Sequence, residues 1–206
     1  LLDDEKKAYI NENMSNVVLS IDGRKEVNDR MRTRVDGTGT YDNIIPKFID
    51  MANSRNQDNY YVRGTFTAFN KDFAEDVIHL ADLGFKQTSV EPVVAPYEED
   101  YALTEDDIPD VFKEYDKLAE EYLKRWKEGN GFNFFHFMVD LDQGPCAIKR
   151  LSGCGAGHEY LAVAANGDLY PCHQFVGNHD FLMGNVFDGK INTEIRDYFE
   201  KSNIYT

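Results

Sequence analysis

The sequence predicts an α/β protein with a mostly parallel sheet, followed by a small, loop-rich region built round a β-hairpin. Three observations carry this. Over the first ninety-odd residues, short β-rich runs alternate with segments of helical period, the pattern of consecutive βαβ units. From Gln143 onward the composition shifts to Gly, Cys and turn residues, which separates residues 1–142 from 143–206. In that second stretch, Cys154 and Cys172 bracket a hairpin signal centred on Asn166-Gly167.

The chain opens on Leu1-Leu2-Asp3-Asp4, without an initiator Met and directly into a helical stretch, so it reads as a piece of a longer polypeptide. The first strand runs from Asn16 to Ile21 and ends at Asp22-Gly23, and a polar stretch rich in Arg and Gly continues to Gly39. A helix begins near Asp42, with Ile44, Ile45, Phe48, Ile49 and Ala52 on one face; Pro46 is tolerated near its start. The second strand is Tyr61 to Thr67. Asn70 or Asp72 caps the next helix, Phe73, Val77, Leu80 and Ala81 form its apolar face, and Gly84 stops it. A third strand spans Lys86 to Val94, so ligands of such a fold are expected at strand ends near Asp22, Thr67 to Asn70 and Glu91.

After an acidic loop, Thr104 with Asp107 three residues later opens a long helix whose apolar positions run from Ile108 through Leu118 to Trp126. Gly129 and Gly131 end it, and the aromatic segment from Phe132 to Leu141 fits either a helix or a buried strand. In the last region Tyr160 to Ala165 and Asp168 to Pro171 are the arms of the hairpin, with Asn166-Gly167 favouring a type I′ turn.

In a chain of 206 residues, 37 acidic against 22 basic side chains leave a formal charge of −15, which repels nucleic-acid phosphate and anionic lipid. No nucleic-acid partner is expected. No apolar run has the length of a membrane span, and the N-terminus lacks the pattern of a secretory signal, so the expected address is cytoplasmic. Three cysteines are an odd number for a disulfide framework, and thiolate ligation is the better question to ask of them. The hairpin folds the chain back so that Cys154 and Cys172 come close enough to share a metal or cluster, although two thiolates do not complete a four-ligand site. Two small buried hydrophobes beside a turn would look the same.

The spacing Cys154, twelve residues, Gly167, four residues, Cys172, with the local run from Asn166 to His173, resembles the opening half of the SPASM domain found after the barrel of many radical S-adenosylmethionine (SAM) peptide maturases. The resemblance extends upstream. Ser20-Ile21-Asp22-Gly23, Asn28-Asp29 with Arg32, and Gly37-Thr38-Gly39-Thr40-Tyr41 are similar to the S-x-D-G, D-x-x-R and G-x-G-S/T-[FY] pattern of the later half of the radical SAM barrel. Arg63-Gly64-Thr65 and Asn70 resemble its next strand and loop. With Phe134 to Phe137, Gly144-Pro145-Cys146, Lys149-Arg150 and Cys172 to Gly177 added, the sequence is most similar to the six-cysteine-peptide (SCIFF) maturases. The C-x3-C-x2-C loop of the SAM-cleaving cluster and the later cysteine run of that family have no counterpart here, so this chain alone is not expected to cleave SAM.

The resemblance implies the later half of a partial (β/α)6 barrel over 1–142 and the start of a SPASM domain over 143–206. It implies an oxidoreductase that forms Cys-to-Thr thioether links in a cysteine-rich precursor peptide, with S-adenosylmethionine in the complete enzyme. Cys154 and Cys172 would ligate an auxiliary 4Fe-4S cluster, and Ser20, Asp22, Arg63, Thr65 and Asn70 would contact the ribose and amino-acid portion of SAM. Turn chemistry and helix capping account equally for Asp22 and Asn70. Arg32 and Arg63 suit a bidentate carboxylate, either of the substrate or of Glu91. Cys146 reads as a ligand, a substrate contact or a plain buried cysteine, while His158 and His173 read as hydrogen-bonded groups beside the cluster rather than ligands. No catalytic residue is singled out. The rival readings are a non-catalytic peptide- or partner-binding module with structural zinc or no metal, and a metal-free α/β enzyme using Asp22, Arg63 and Glu91.

Overall fold

A computed structural model describes residues 2–139, 151, 153–203 and 205. The chain divides into two units, Leu1–Val139 and Asp140–Thr206. The boundary expected between 142 and 143, with Gly144, Pro145, Cys146, Lys149 and Arg150, lies outside the described residues.

In the first unit, helix α1 (Asp4–Asn13) starts where the Asp3 carboxylate accepts the Lys6 N–H at 2.9 Å. Strand β1 (Val17–Ser20) is followed by helices α2 (Lys25–Met31) and α3 (Tyr41–Ser54), then strand β2 (Tyr60–Phe66) and helix α4 (Phe73–Asp82). Strand β3 (Gln87–Pro92), helix α5 (Ile108–Lys127) and the short strand β4 (Asn133–Phe134) complete it. The four strands are parallel in the order β1-β2-β3-β4. Each crossover adds a strand on the same side, so the order never reverses as it does in a doubly wound sheet.

Strand β2 shows why the sheet is two-faced. Tyr60, Val62 and Phe66 are buried under the helices, while Tyr61, Arg63 and Thr65 point the other way, as the two-residue period requires. Helix α4 brings Phe73, Val77 and Leu80 onto the covered face, where Phe73 stacks on Phe66 with ring centroids 4.1 Å apart. It stops where Gly84 takes φ +95° and the Phe85 N–H donates back to the Leu80 carbonyl at 3.3 Å. Leu118 of α5, Phe132 and Phe134 close the same core.

Two segments differ from expectation. Residues 25–31, expected as part of an irregular polar stretch, form α2; it buries Asn28 rather than an apolar stripe, so no hydrophobic period announces it. The ambiguous aromatic segment contributes the two-residue β4 and a 3-10 turn at Phe135–Phe137, too short for either period to register.

The second unit is a four-stranded antiparallel sheet, β5 (Ala162–Val163), β6 (Asp168–Tyr170), β7 (Gly184–Asn185) and β8 (Lys190–Ile191), in that order. Helix α6 (Thr193–Lys201) follows, with the Asn192 side chain accepting the Glu194 and Ile195 N–H groups. Phe175, Phe181 and Phe199 form a ring cluster beside it. The hairpin is present, but its turn is not type I′. Of the pair, Gly167 alone has positive φ, at +89°. The Gly167 N–H donates to Ala164 O at 2.9 Å and the Ala164 N–H to Asp168 O at 2.8 Å, which is a three-residue loop closed by a glycine bulge. Among the described residues no helix is long and apolar enough to cross a membrane.

Candidate functional site

The uncovered face of the parallel sheet carries a row of polar side chains. Ser20 pairs in register with Arg63, and Arg63 with Ser89; one step along, Thr65 pairs with Glu91. Parallel register puts partnered residues on one side of the sheet, so these five share a face. The Arg63 guanidinium grips the Glu91 carboxylate through Nε at 3.1 Å and Nη2 at 2.5 Å, and the Ser89 hydroxyl donates to the same carboxylate at 3.1 Å. Burial pushes the Glu91 carboxyl up, but the bonds and charge of Arg63 outweigh it and hold the group below the ordinary glutamate value. Val18, Tyr61 and Phe135 supply apolar walls to the depression that Arg63, Ser89 and Glu91 floor, with Phe135 edge-on to Tyr61 at 6.1 Å. Next to it His136 meets the Tyr115 hydroxyl through Nδ1 at 2.7 Å, and burial lowers its basicity.

At the C-terminal ends of the strands, the motif residues bind one another. Asp22 is buried; it accepts Arg32 Nε at 2.7 Å, Arg32 Nη2 at 2.9 Å and the Thr65 N–H at 3.0 Å. Gly64 lets β1 and β2 approach here, because a Cβ on it would stand 2.5 Å from the Ile21 carbonyl oxygen. The Asp29 carboxylate accepts the Thr40 and Tyr41 N–H groups at 2.8 Å each and so caps α3 from outside the helix. It presses on Gly39, where a Cβ would lie 2.1 Å from it. Beyond β2, Asn70 Oδ1 accepts the N–H and hydroxyl of Thr67 at 2.9 Å each, and Asn70 Nδ2 donates to Asp76 at 3.1 Å. Asp76, wholly buried, also receives the Arg24 backbone N–H and Nε.

Of the five residues expected to contact a cofactor, Ser20, Arg63 and Thr65 therefore lie together on the open face. Asp22 and Asn70 lie at the rim with their side chains committed to neighbours in the chain. Arg32 takes Asp22 as its carboxylate, and Arg63 takes Glu91. Sequence reasoning missed Ser89, Tyr61 and Phe135 as neighbours of this face; the period of two through Arg63 and Glu91 would have found the first two. It also missed Asp76, whose signal is a carboxylate on the apolar stripe of α4 between Phe73 and Val77.

In the second unit, Cys154 is exposed, Cys172 is buried, and both are free thiols. The Gly157 N–H donates to both Tyr160 O at 3.1 Å and Pro171 O at 3.0 Å, which ties the loop after Cys154 to the residue before Cys172. Gly155 and Gly157, at φ +78° and +79°, make that tight path available. The Tyr160 hydroxyl lies 3.6 Å from Cys154 Sγ, and this contact lowers the thiol below its ordinary value, favouring the thiolate a metal needs. His158 Nδ1 is directed at the Ala156 carbonyl, 3.4 Å away. Among the described residues no three His, Cys, Asp or Glu side chains cluster as a metal site, and Cys146 lies outside those residues.

Together the units define an α/β fold with a singly directed parallel sheet, joined in sequence to a small antiparallel, cysteine-bearing sheet. No protein-family model matches the chain, and no curated protein matches it. Solved structures do. The structure of anSMEcpe with bound AdoMet superposes with a TM-score of 0.70 at 20% identity over 98% of this chain and 57% of that one. Native anSMEcpe with bound AdoMet and the Kp18Cys peptide gives 0.68 at 18% identity, over 98% and 58%. Streptococcus suis SuiB bound to S-adenosylmethionine gives 0.51 at 14% identity, over 100% and 47%. These likenesses establish a shared fold, and the chain spans less than two thirds of the length of each of these neighbours.

Proposed function

We propose that the chain is the later part of a radical SAM peptide maturase, three βα steps of a partial barrel followed by the start of a SPASM domain. The observation that carries this reading is the superposition on anSMEcpe, which takes in 98% of the chain, the sheet and the cysteine-bearing unit alike. Both anSMEcpe and SuiB are radical SAM maturases; anSMEcpe binds AdoMet and a peptide, and SuiB binds S-adenosylmethionine. The one-directional strand order fits a barrel segment, and the SPASM-like spacing of Cys154, Gly167 and Cys172 fits the second unit.

Ser20, Arg63 and Thr65 are the residues we assign to AdoMet, since they share the open face where the polar groups converge. Asp22 and Asn70 act at one remove: Asp22 fixes the Thr65 backbone and Arg32, and Asn70 shapes the turn after β2. Tyr61 and Phe135 line the face with apolar surface. The cysteine pair fits an auxiliary 4Fe-4S cluster as two of its ligands: one thiol is accessible and acidified, the other is buried, and a backbone hydrogen bond links the two stretches that carry them. Bound, such a cluster and AdoMet supply the one-electron and radical chemistry that side chains cannot. The substrate we assign is a cysteine-rich precursor peptide and the product a thioether, following the sequence likeness to the SCIFF maturases.

Equilibrium binding of AdoMet tests the open face. Arg63→Gln and Ser20→Ala are expected to weaken binding, by about tenfold for Arg63→Gln, which loses a charged hydrogen bond. Equal affinity in both variants would remove AdoMet from this face. The alternative of a binding module with structural zinc predicts no AdoMet binding at all.

A further inference from the structure

In a chain of net charge −15, the segment 24–34 is locally basic, with Arg24, Lys25, Arg30, Arg32 and Arg34. Three of these are neutralised. Arg24 pairs with Asp72 and Asp76, Lys25 with Asp42, and Arg32 with Asp22. Among the described residues Arg30 and Arg34 make no ion pair. Arg30 is nonetheless held in place: its guanidinium carbon lies 3.5 Å from the centroid of the Phe69 ring. Phe69 is itself anchored, its N–H donating to Thr67 Oγ1 at 3.1 Å inside the turn that Asn70 ties down.

A guanidinium stacked on a ring keeps its N–H groups in the plane of the stack, where they remain available to a carboxylate, and the stacking has already restricted the side chain. Arg30 and Phe69 follow β1 and β2 at their C-terminal ends, the end of the sheet to which Ser20 and Thr65 belong. Directly after α2, the turn closed by the Thr33–Gly39 bridge leaves Val35 fully exposed, with Met31 also exposed before it. Arg30, together with Arg34 whose charge is shared with Asp36, stands next in sequence to the exposed Met31 and Val35, a surface suited to a carboxylate with an apolar neighbour.

We propose that this rim docks an acidic segment of the peptide substrate, its carboxylate held by Arg30 and its apolar side chain resting on Val35. The proposal rests on the peptide-maturase reading and adds the charge of the substrate segment. A second copy of the chain is a poorer occupant, because two bodies of charge −15 repel.

The test is fluorescence anisotropy on the intact chain, using a dye-labelled peptide of alternating Leu with Asp and Glu, and its Asn/Gln counterpart. The acidic peptide is expected to bind about tenfold more weakly to Arg30→Gln than to wild type, the loss of one charge-assisted contact. Arg30→Lys and Phe69→Leu should fall between, and the amide peptide should bind all four proteins equally weakly. Thermal melts of each variant separate lost binding from lost folding. Equal binding of the acidic peptide by wild type and Arg30→Gln, or equal binding of the two peptides by wild type, would overturn the proposal. So would self-association of wild type that Arg30→Gln abolishes, which would make the rim a self-interface. Iron loading and AdoMet binding are read separately, so failure here leaves the maturase reading standing, and failure there does not decide the peptide result.

Discussion

Asp22 and Arg63 both belong to the motifs, yet they do different work. Asp22 is buried and accepts three hydrogen bonds that join β1, β2 and the loop after α2. Asp22→Asn removes the charge and leaves Arg32 without its partner. Because Arg32 is partly exposed to solvent, we expect a loss of about 2 kcal/mol in urea unfolding rather than the full penalty of a buried pair. Arg63 is half exposed while Glu91 is partly buried, and the exposed guanidinium is screened by solvent, so Arg63→Gln should change stability by no more than about 1 kcal/mol while still weakening AdoMet binding. The sequence identified both arginines as seekers of a carboxylate and offered Glu91 or the substrate as the partner. It could not decide between them or see Asp22 as the partner of Arg32, because Arg63 and Glu91 are brought together only by the register of β2 on β3, and no local pattern encodes register.

The 3-10 turn Glu105–Asp107 that leads into α5 opens with a capping box that was legible from Thr104 and Asp107 alone, since both partners lie within four residues. Asp107 accepts the Thr104 N–H and hydroxyl and the Lys71 ammonium, each at 2.9 Å, and the Lys71 bond leads in bringing its carboxyl down to about 2 from 3.8. A depressed carboxylate stabilises the fold above its unfolded value and loses that contribution as pH falls through the folded one. Thermal midpoints of Asp107→Asn should therefore lie below wild type at neutral pH and converge on it between pH 3.8 and about 2. Gly64 is the opposite case, a residue whose role only the packed strands disclose. Gly64→Ala would drive a methyl against the backbone of Ile21 and Asp22, and we expect a cost of about 2–3 kcal/mol in chemical unfolding. Elements with a long apolar period, α3, α4 and α5, were readable to within a few residues. Helix α2 and strands β4, β7 and β8 were not, because seven residues or two cannot display a period.

Across the whole chain, two units of unlike architecture follow one another in the sequence. The first is built from alternating strands and helices whose order runs one way, and its uncovered face collects Ser20, Arg63, Thr65 and Glu91. The second is small, antiparallel and held by short strands, a glycine bulge and an aromatic cluster, with Cys172 just after β6 and Cys154 in the loop that leads to β5. The hairpin between the two cysteines was legible because its turn residues and their spacing are local. The acidified thiol of Cys154 was not, since that depends on where the Tyr160 hydroxyl falls. The central claim is that this pair belongs to an iron–sulfur site. Anaerobic iron–sulfide reconstitution of the chain and of the Cys154→Ala/Cys172→Ala variant, followed by iron and zinc analysis and visible absorption, tests it most directly. The account predicts bound iron with a broad sulfide-to-iron band in the wild type, absent from the double variant; zinc held by the same two cysteines, with no iron, would contradict it.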